Sequence, residues 1–403
     1  MKALPSFETA LARMRERIIR LDDEIVPLDR AHGRVLAEPV LADRDQPPFD
    51  ASAMDGWAVR REDAAQSEAL LRIVGQSAAG HRLDAPVGPG EAARIFTGAP
   101  MPPGADWVVV QEKAERSGDH VRLGPIGHAS SNVRARGADF HAGQVLVQTG
   151  ERLDAWRLAL VAASGRTQVS AARMPVVAIL ATGDELVRPG HAPAPDQIHD
   201  SAGPALAALV MQWGGRPIRL PTSGDTIEAV IDSLGVEPFD LLLTIGGASV
   251  GDHDQVKPAL RSLGLSLTVE GVAIRPGKPV WFGLMGQAAT PVLGLPGNPA
   301  SALVCAELFL RPILSDLMGR PVRDRRRWAV LDGALPANGP REHFLRGRAA
   351  FAADGTWRVE AFDDQDSSLV SVFSRADVLI YRPPGAPAAA PGSLVQASGL
   401  DRL

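Results

Sequence analysis

The residue types best suited to chemistry in this sequence lie in one glycine-rich segment, TIGGASVGDHD at positions 244–254. Gly246 and Gly247 have no Cβ, so the backbone N–H groups of this turn can come close to a ligand. The carboxylates of Asp252 and Asp254 supply oxygen atoms of the kind that a hard cation prefers. Read alone, such a segment is more often only a tight loop, and the other segments of the chain are needed to distinguish a loop from a ligand site.

A second segment, LPGNPAS at 295–301, has the pattern of a helix start. Asn298 suits the N-cap position, and Pro299 suits the first helical position. The N–H groups at such a start attract anions, with help from the helix dipole. Pro296 and Gly297 before the cap would let a phosphate approach.

Three polar loops in the first part of the chain carry further candidate ligands. They are PPFDASAMDGWAV (47–59) with Asp55, TGAPMPPGAD (97–106) with Thr97, and NVRARGADFHAG (132–143) with Asp139. An acid on a rigid loop can face a ligand or cap its own turn, and a hydroxyl more often bonds its own backbone. The residue types alone leave these roles open.

Lysine is rare in this chain, with four among 42 basic residues. One of the four, Lys278, lies in the turn RPGKP at 275–279. Coding bias toward arginine explains the rarity. A lysine kept in a Gly/Pro turn still differs chemically from arginine, because its ammonium group is a compact charge.

The elements that must position these residues follow from the periodicity. Strand-like and helix-like segments alternate from about 168 to 318, which predicts a mostly parallel sheet covered by helices on both faces. Ligands bind at the carboxyl ends of such strands. The turns at 182–186, 244–254 and 295–301 fall there, and RPGKP would have to fold over the same edge.

The flanking regions predict other folds. Residues 6–20 have the stripe of an amphipathic helix with Ser6 as N-cap, and 151–165 resemble a short helix. Short β-type runs between Gly/Pro turns predict a small β domain over about 70–146. Residues 328–403 predict a small β-barrel or sandwich, after a charged linker.

Length and composition exclude several classes of protein. A chain of 403 residues should hold two to four domains. Its net charge of −5 gives no positive field for nucleic acid. The single cysteine, Cys305, excludes a disulfide framework and a cysteine-based zinc site, and its apolar surroundings predict a buried, inert thiol.

Sequence motifs and hydropathy exclude further classes of protein. There is no apolar run of 18 residues and no signal-peptide pattern, so a cytoplasmic protein without membrane association is expected. The P-loop pattern G-x-x-x-x-G-K-[ST] and a G-x-G-x-x-G that opens a helix are both absent. A Walker-type NTPase and a Rossmann dehydrogenase are therefore disfavoured.

Taken together, the segments resemble the MoeA family, the molybdopterin molybdenumtransferases, which include the C-terminal enzyme domain of gephyrin-type proteins. The resemblance runs nearly end to end, and seven motifs in family order are far more specific than any one of them. They are PPFDASAMDGWAV, RIFTGAPMPPGADWVVVQE, NVRARGADFHAG, ATGDEL, TIGGASVGDHD, RPGKP and LPGNPAS.

The resemblance implies a multi-domain α/β plus β fold. Its four domains would be residues 1–45 with 141–167 as an elongated domain, 46–140 as a small β domain, 168–320 as a Mog-like molybdopterin-binding α/β domain, and 328–403 as a C-terminal β-barrel. It also implies a homodimer, with the site in a cleft between the Mog-like domain of one subunit and the small β domain of its partner.

The implied reaction uses adenylyl-molybdopterin and molybdate. The pyrophosphate bond is hydrolysed, AMP leaves, and molybdenum enters the dithiolene; Mg²⁺ is the expected cofactor. Further implied partners are the molybdopterin adenylyltransferase and molybdoenzyme maturation factors.

The resemblance also assigns roles to residues. It makes Glu185 and Asp254 the metal ligands, and Asp55, Asp139, Asp225 and Lys278 the catalytic residues. It makes Arg275 and Lys278 the molybdate holders, with Ser249, Pro279, Arg346 and Ser367 nearby. The remaining substrate-binding positions are Thr97, Gly246, Gly247, Pro296, Gly297 and Asn298.

Four positions depart from the usual family pattern. Trp57 replaces tyrosine, Arg275 replaces a lysine found in many members, and Ala202 replaces asparagine. Asp366 replaces glycine beside Ser367. A carboxylate near a molybdate site is unfavourable unless it points away.

Two alternative functions are weighed against this one. The first is a molybdopterin adenylyltransferase on the same kind of domain, an activity normally carried by a short single-domain chain. The second is a non-catalytic scaffold that kept the fold. The retained acids Asp55, Asp139, Glu185, Asp225 and Asp254 speak against the scaffold.

Overall fold

The computed structural model describes residues 3–66, 68–125, 130–235, 237–247 and 255–401. Its contacts divide the chain into two compact units. Unit 1 comprises Met1–Glu24, Gly33–Ala37 and Ala171–Leu403, and unit 2 comprises Ile25–His32 and Glu38–Ser170. The four domain boundaries implied by the family resemblance remain predictions.

The first part of the chain is mostly β, as its short apolar runs predict. In chain order its elements are α1 Phe7–Arg15, β1 Asp23–Pro27, β2 Val40–Leu41, β3 Ala51–Ser52, β4 Gly56–Val59, α2 Arg61–Ala64, β5 Leu70–Ser77, β6 Glu91–Ile95, β7 Trp107–Val110, β8 Ala114–Ser117, β9 His120–Leu123, β10 Val133–Arg134, β11 Val145–Val147, α3 Ala155–Ala163 and β12 Gln168–Ala172. Short 3₁₀ helices cover Leu28–Arg30 and Gln111–Lys113.

The main sheet of unit 2 has six strands in the order β7-β4-β6-β5-β9-β8. Its pairs are antiparallel except for β5 with β6. Trp57, Trp107 and Val109 pack in its apolar core, so the tryptophan at position 57 is a buried packing residue. The sheet places the loops around Asp55 and Thr97 next to each other, because β4 and β6 are paired.

The helices that were predicted near the ends of the first part are present but shorter. In α1, the Ser6 side chain accepts from the Thr9 N–H, so the predicted cap is confirmed. The helix ends at Arg15 rather than near residue 20, and the chain then turns so that the Leu21 N–H donates to Leu317 O at 2.8 Å. This tertiary bond replaces the helical bonds of a longer α1.

The middle of the chain forms the predicted α/β sandwich. Its elements are β13 Val176–Ala181, β14 Leu186–Val187, β15 Ile198–His199, α4 Ala202–Gln212, β16 Arg216–Arg219, α5 Ile227–Ser233, β17 Leu241–Ile245, α6 Val256–Ser262, β18 Ser266–Glu270, β19 Ile274–Arg275, β20 Trp281–Met285, β21 Thr290–Leu295, α7 Pro299–Cys305 and α8 Arg311–Leu317. A π-helical turn, Ala306–Leu310, joins α7 to α8.

The central sheet has the order β16-β13-β17-β21-β20-β18. The pairs among β16, β13, β17 and β21 are parallel, whereas β20 pairs antiparallel with β21 and with β18. The prediction of a mostly parallel sheet is confirmed. Because β13, β17 and β21 run in the same direction, the residues that follow them meet at one edge, which we call the carboxyl edge.

One predicted helix start differs from the structure. The sequence Asp225-Thr-Ile-Glu228 has the form of a capping box with Asp225 as N-cap, but α5 is capped by Thr226, whose side chain accepts from the Ala229 N–H. Thr226 has the extended backbone of an N-cap residue, so its hydroxyl, one position after Asp225, accepts from a free N–H group of the first turn. The Asp225 carboxylate is thereby not used as the helix cap.

The last part of the chain is a closed barrel. Its elements are β22 Arg326–Leu331, β23 Glu342–Phe351, β24 Trp357–Ala361, α9 Val370–Phe373, β25 Val378–Arg382 and β26 Leu394–Gly399. Successive pairing of β23, β24, β22, β26 and β25 returns to β23, which closes five strands into a ring. The barrel alternative is therefore correct, and β19 joins it by pairing with β23.

Two further observations concern the buried cysteine and the length of the helices. Cys305 is fully buried on α7, as predicted, and burial raises the pKa of its thiol. Among the residues described, no helix is both long enough and apolar enough to cross a membrane.

Candidate active site

Three turns converge at the carboxyl edge around Gly246. Its backbone has φ 90°, and a Cβ at this position would lie 2.8 Å from the carbonyl oxygen of Thr182. Its N–H donates to Leu295 O at 3.2 Å, and Gly297 approaches it from the third turn. Only glycine fits this close approach, so the turn after β17 lies against those after β13 and β21.

Acidic side chains gather beside these turns. The Asp184 carboxylate accepts from the Asp225 N–H at 3.2 Å, which brings the turn after β13 to the start of α5. The Glu185 carboxylate is folded back over Gly183, where a Cβ would lie 2.5 Å from Glu185 Oε2. Glu185 is exposed and Asp225 is half-buried. The structure thus places Glu185 and Asp225 in one region and adds Asp184, which the sequence interpretation left without a role.

The described part of this edge offers one carboxylate of the kind that a magnesium ion takes. Mg²⁺ is usually bound through one or two carboxylates together with substrate phosphates, so it needs no three-acid cage. In the described ranges no group of three or more His, Cys, Asp or Glu side chains is arranged to hold a metal. Glu185 over the Cβ-free surface of Gly183 supplies one such carboxylate. The other predicted ligand, Asp254, lies outside the described residues.

The LPGNPAS turn is covered by a loop from the barrel region. Asn298 occupies the N-cap position of α7, but its side chain makes no capping bond. Instead Asn298 Nδ2 donates to Ser367 Oγ at 2.8 Å, and the Ala300 N–H donates to Ser367 O at 3.2 Å. The N–H of Ala300 is one of those that the sequence pattern predicted to attract an anion, and it is instead hydrogen-bonded to a carbonyl. Pro296 is buried, whereas Gly297 and Asn298 are exposed.

A cluster of arginines surrounds His343. Strand pairing sets His343 opposite Arg275 on β19 and opposite Arg382 on β25. Burial, followed by the charges of Arg275, Arg341, Arg346 and Arg382, lowers the pKa of His343 to about 4. We call these four residues the arginine cluster. Positive charge concentrated in this way is suited to an oxyanion.

Arg346 is the most buried member of the cluster, with 1% of its surface exposed. Its Nε donates to Gln365 Oε1 at 3.4 Å, and its Nη1 has no hydrogen-bond partner among the described residues. Burial lowers the pKa of this guanidinium, and the carboxylates of Asp364 and Asp366 act in the opposite direction. A buried charged donor without a partner is costly, so an anionic ligand is the natural complement of Arg346.

Asp366, the unfavourable acid of the sequence analysis, is engaged locally. Its Oδ1 accepts from the Ser368 hydroxyl at 2.7 Å and from the Ser368 N–H at 2.8 Å. These two bonds lower the pKa of Asp366. The carboxylate caps its own turn beside Ser367, which satisfies one of its oxygens.

The RPGKP turn is fixed against α7. Gly277 has φ 106°, and a Cβ there would lie 2.4 Å from Cys305 Sγ. The carbonyl of Lys278 accepts from the Val272 N–H at 3.0 Å. The side chains of Arg275 and Lys278 are exposed, while Pro279 is half-buried. The turn therefore presents two cations from a backbone that packing holds in place.

In unit 2, the structure brings Asp55 and Thr97 together. Asp55 Oδ1 accepts from the Thr97 N–H at 2.7 Å and from the Thr97 hydroxyl at 2.8 Å. These bonds lower the pKa of Asp55, with a smaller contribution from Arg94. Asp55 is therefore ionised at neutral pH, and its two hydrogen bonds hold the loops around Asp55 and Thr97 together.

The loop that carries Asp139 joins the same group. The Asp139 N–H donates to Gln46 O at 2.9 Å, and the Arg136 N–H donates to Asp50 Oδ1 at 2.8 Å. The next loop connects through the Met101 N–H, which donates to Asp50 O at 2.8 Å. The three polar loops of the sequence analysis thus lie together in unit 2, and the Asp139 side chain is exposed.

Some assignments fall outside the described residues, and some site residues were missed. Ser249, Asp252 and Asp254 belong to the first group. His343, Arg341 and Arg382 belong to the second, because they approach Arg275 only through strand pairing. A signal was present for Asp184, which precedes Glu185 in the TGDEL turn.

These features define a class of protein: a multi-domain chain with a Mog-like α/β domain, a closed C-terminal barrel, and glycine-rich turns at the edge of its sheet. Three family models cover most of the chain. They are the MoeA N-terminal region (domain I and II) over residues 5–165, the model described as "Probable molybdopterin binding domain" over 178–316, and the MoeA C-terminal region (domain IV) over 329–400.

Curated relatives agree with the family models. A molybdopterin molybdenumtransferase of Nostoc sp. is 42% identical over 74% of this chain and 70% of its own length. Molybdopterin molybdenumtransferase 2 of Mycobacterium tuberculosis is 36% identical over 80% and 82%. The Haemophilus influenzae molybdopterin molybdenumtransferase is 32% identical over 93% of each. The chain therefore belongs to the MoeA family, a family of enzymes of molybdenum cofactor biosynthesis.

Solved structures show the same architecture. A molybdopterin biosynthesis MoeA protein from Pyrococcus horikoshii matches with a TM-score of 0.81 and 31% identity, and the match covers 98% of this chain and 99% of that one. A second structure with this description matches with a TM-score of 0.82 and 26% identity over 99% and 100%. The family resemblance and the fold class predicted from the sequence are confirmed.

Proposed function

We propose that the protein is a molybdenum insertase. It takes adenylyl-molybdopterin and molybdate, hydrolyses the pyrophosphate bond, releases AMP and yields molybdenum bound to molybdopterin. Membership of the MoeA family, whose curated relatives are named molybdopterin molybdenumtransferases, supports the reaction class. The choice of substrates rests on the site.

The observation that carries the proposal is the arginine cluster. The guanidinium of Arg346 is buried, and its Nη1 lacks a partner in the described part of the chain. Its charge is one of the four that lower the pKa of His343, while the carboxylates of Asp364 and Asp366 act on Arg346 itself. Arg275 belongs to this cluster, and Lys278 extends from the same RPGKP turn. A tetrahedral dianion such as molybdate matches the charge of these groups.

The carboxyl edge suits the phosphate part of the other substrate. Gly246 and Gly247 are half-buried at the end of β17. The Gly246 N–H is taken by Leu295 O, whereas the φ of 58° at Gly247 allows its N–H to face a ligand. Gly297 and Asn298 add exposed backbone at the start of α7. We assign these residues to binding and orienting the pyrophosphate, together with Pro296.

Within this mechanism the acids handle protons and the metal. Bound Mg²⁺ would neutralise phosphate charge, and Glu185 with Asp254 would hold it. Asp225, whose N–H donates to the Asp184 carboxylate, would position water. Asp55, held by Thr97, and Asp139 would supply ionised oxygens from unit 2. Arg275, Lys278, Arg346 and Ser367 would hold molybdate, with Ser249 and Pro279 beside them.

The assembly and the wider partners are also part of the proposal. A homodimer would complete the site by bringing unit 2 of one subunit to unit 1 of the other. The molybdopterin adenylyltransferase would deliver the adenylylated substrate, and molybdoenzyme maturation factors would accept the product. A cytoplasmic location remains a prediction.

One assay tests the function against its two alternatives. Purified protein is incubated with adenylyl-molybdopterin, Mg²⁺ and molybdate, and AMP and protein-bound molybdenum are measured; a parallel sample receives ATP and molybdopterin. Molybdate-dependent AMP release with molybdenum incorporation supports the insertase. Formation of adenylyl-molybdopterin in the parallel sample would point to the adenylyltransferase, and inactivity in both samples to a scaffold.

A further inference from the structure

The residue at the centre of the arginine cluster has no role in the mechanism above. His343 is half-buried on β23, between the paired strands β19 and β25. In that pairing Arg275 and Arg382 are its direct neighbours across the strands. An imidazole in this position can gain and lose a proton beside a bound anion.

The charges around His343 are of one sign. On its own strand they are Arg341 and Arg346, on β19 Arg275, and on β25 Arg382. The adjacent acid, Glu342, is turned to another partner, since its Oε2 accepts from the Phe7 N–H at 2.9 Å. Burial and this repulsion keep His343 neutral when the cluster holds no anion, because they lower its pKa to about 4.

Two of the surrounding guanidiniums also carry donors without partners. Arg346 Nη1 and Arg382 Nε are buried, and neither has a hydrogen-bond partner among the described residues. Arg382 is 6% exposed and Arg346 is 1% exposed. Both donors belong to residues whose charge acts on His343, so an anion that satisfied either would also change the field at the imidazole.

We propose that His343 is a positioning residue that takes up one proton when an oxyanion binds at the arginine cluster, so that oxyanion affinity rises as the pH falls. This inference rests on the proposed function, because it assumes that the cluster is the molybdate site. The proton comes from solvent, and no bond other than N–H is made or broken. The charged imidazole then adds a fifth positive group next to the bound dianion.

The physical reason is charge balance. A bound dianion cancels part of the repulsion from the four arginines, which removes one of the two causes that depress the pKa of His343. The imidazole becomes easier to protonate, and by linkage a protonated imidazole binds the anion more tightly. A site with permanent cations only would bind a dianion with little dependence on pH.

Calorimetric titration with molybdate tests the inference. The full-length wild-type protein is titrated at several pH values between about 6 and 8, in buffers of different ionisation enthalpy, so that proton uptake is counted directly. We expect uptake that grows toward one proton as the pH falls, and an affinity gain of up to about tenfold per pH unit. His343→Gln should bind molybdate with little proton uptake and a flat pH profile.

A matched variant and a second probe keep the result specific. His120→Gln changes an exposed histidine that pairs with Asp119 in unit 2, and it should behave as wild type. Sulfate, which stays a dianion over this pH range, should show the same proton uptake as molybdate. Proton NMR of the imidazole signal that is lost in His343→Gln should show a higher pKa with molybdate than without it.

The outcomes separate this inference from the proposed function. If wild type and His343→Gln take up protons equally, or if the His343 signal does not respond to molybdate, the inference is wrong while AMP release can still support the insertase. If wild-type protein binds no molybdate in any buffer, the inference is also wrong. In that case, loss of molybdate-dependent AMP release would overturn the proposed function as well.

Discussion

At the scale of single residues, charge and backbone shape act together in this site. Lys278 and Arg275 are exposed cations on a turn whose glycine allows close packing. Arg346 is a buried cation whose Nη1 has no partner in the described chain. In the proposed site the exposed cations would gather the anion and the buried one would fix its position, because a desolvated donor interacts more strongly than one in water.

Lys278→Ala should abolish molybdate-dependent turnover without loss of fold. Removing a charged group that contacts the oxyanion is expected to lower the rate by about 100-fold or more. Molybdenum incorporation and circular dichroism measure the two effects. Lys113→Ala, which removes an exposed lysine of unit 2, is the control. Unchanged product formation by Lys278→Ala would refute its assignment.

Gly246→Ala should be strongly destabilising. Its Cβ would lie 2.8 Å from both the carbonyl oxygen and the hydroxyl of Thr182, so the backbone must shift. We expect a loss of about 3 kcal/mol in the free energy of unfolding, measured in urea. Gly190→Ala is the matched control, since Gly190 has a similar φ of 97° with nothing near its Cβ. It should cost about 1 kcal/mol, and equal losses would rule out the close contact as the cause.

At the scale of elements, the site depends on where strands end and which loops cover them. The parallel strands β13, β17 and β21 bring three turns to the carboxyl edge. The loop that contains Ser367 closes over the start of α7 through Asn298 and Ala300. The RPGKP turn is held by packing on the other end of α7, at Cys305. One helix therefore positions two parts of the site.

Gly277→Ala should displace the RPGKP turn from α7. The added Cβ would lie 2.4 Å from Cys305 Sγ and 2.9 Å from Ile274 Cδ1. Because Arg275 and Lys278 flank this position, we expect molybdate affinity to fall by about tenfold or more, as measured by calorimetry. Gly286→Ala, where the nearest atom is 3.8 Å away, is the control.

A second substitution tests whether contact with Cys305 is the cause. Cys305→Ala removes the sulfur, so the double variant Gly277→Ala/Cys305→Ala should regain part of the lost affinity. The left-handed φ of 106° still strains the alanine, so recovery will be incomplete. A double variant no better than Gly277→Ala would show that the contact with sulfur is not responsible.

At the scale of the whole molecule, the candidate residues are divided between two compact units. Unit 2 holds Asp55, Thr97 and Asp139, and unit 1 holds the carboxyl edge and the arginine cluster. The proposed homodimer predicts how these two sets combine: each active site would take one set of residues from each subunit. That arrangement can be tested genetically, with no structural information.

Two inactive variants should complement each other. In a mixed dimer of Asp55→Ala and Lys278→Ala subunits, one of the two sites would contain only wild-type residues, so about half the activity of wild type is expected per mixed dimer. Subunits with different affinity tags are co-expressed, and the doubly tagged species is purified and assayed for AMP release.

The control pairs two variants from the same unit. In mixed dimers of Lys278→Ala and Asp225→Ala, every site would carry one substitution, and no activity should return. Activity from this pair, or none from the Asp55→Ala and Lys278→Ala pair, would exclude a site shared between subunits.

The sequence alone determined the local features of this protein. Glycines, prolines and acids in TGDEL, TIGG, RPGKP and LPGN marked the turns, and the alternation of strands and helices predicted that three of these turns would share one edge. These properties follow from the chemistry and spacing of neighbouring residues, so they can be read without coordinates. The order of the motifs then indicated the family.

Only the tertiary structure decided which distant residues meet. Ser367 bonds to Asn298 across 69 positions, and His343 lies opposite Arg275 because β19 leaves the α/β region to pair with the barrel. Strand register and barrel closure arise from packing of the whole chain, and no pattern of neighbouring residues encodes them.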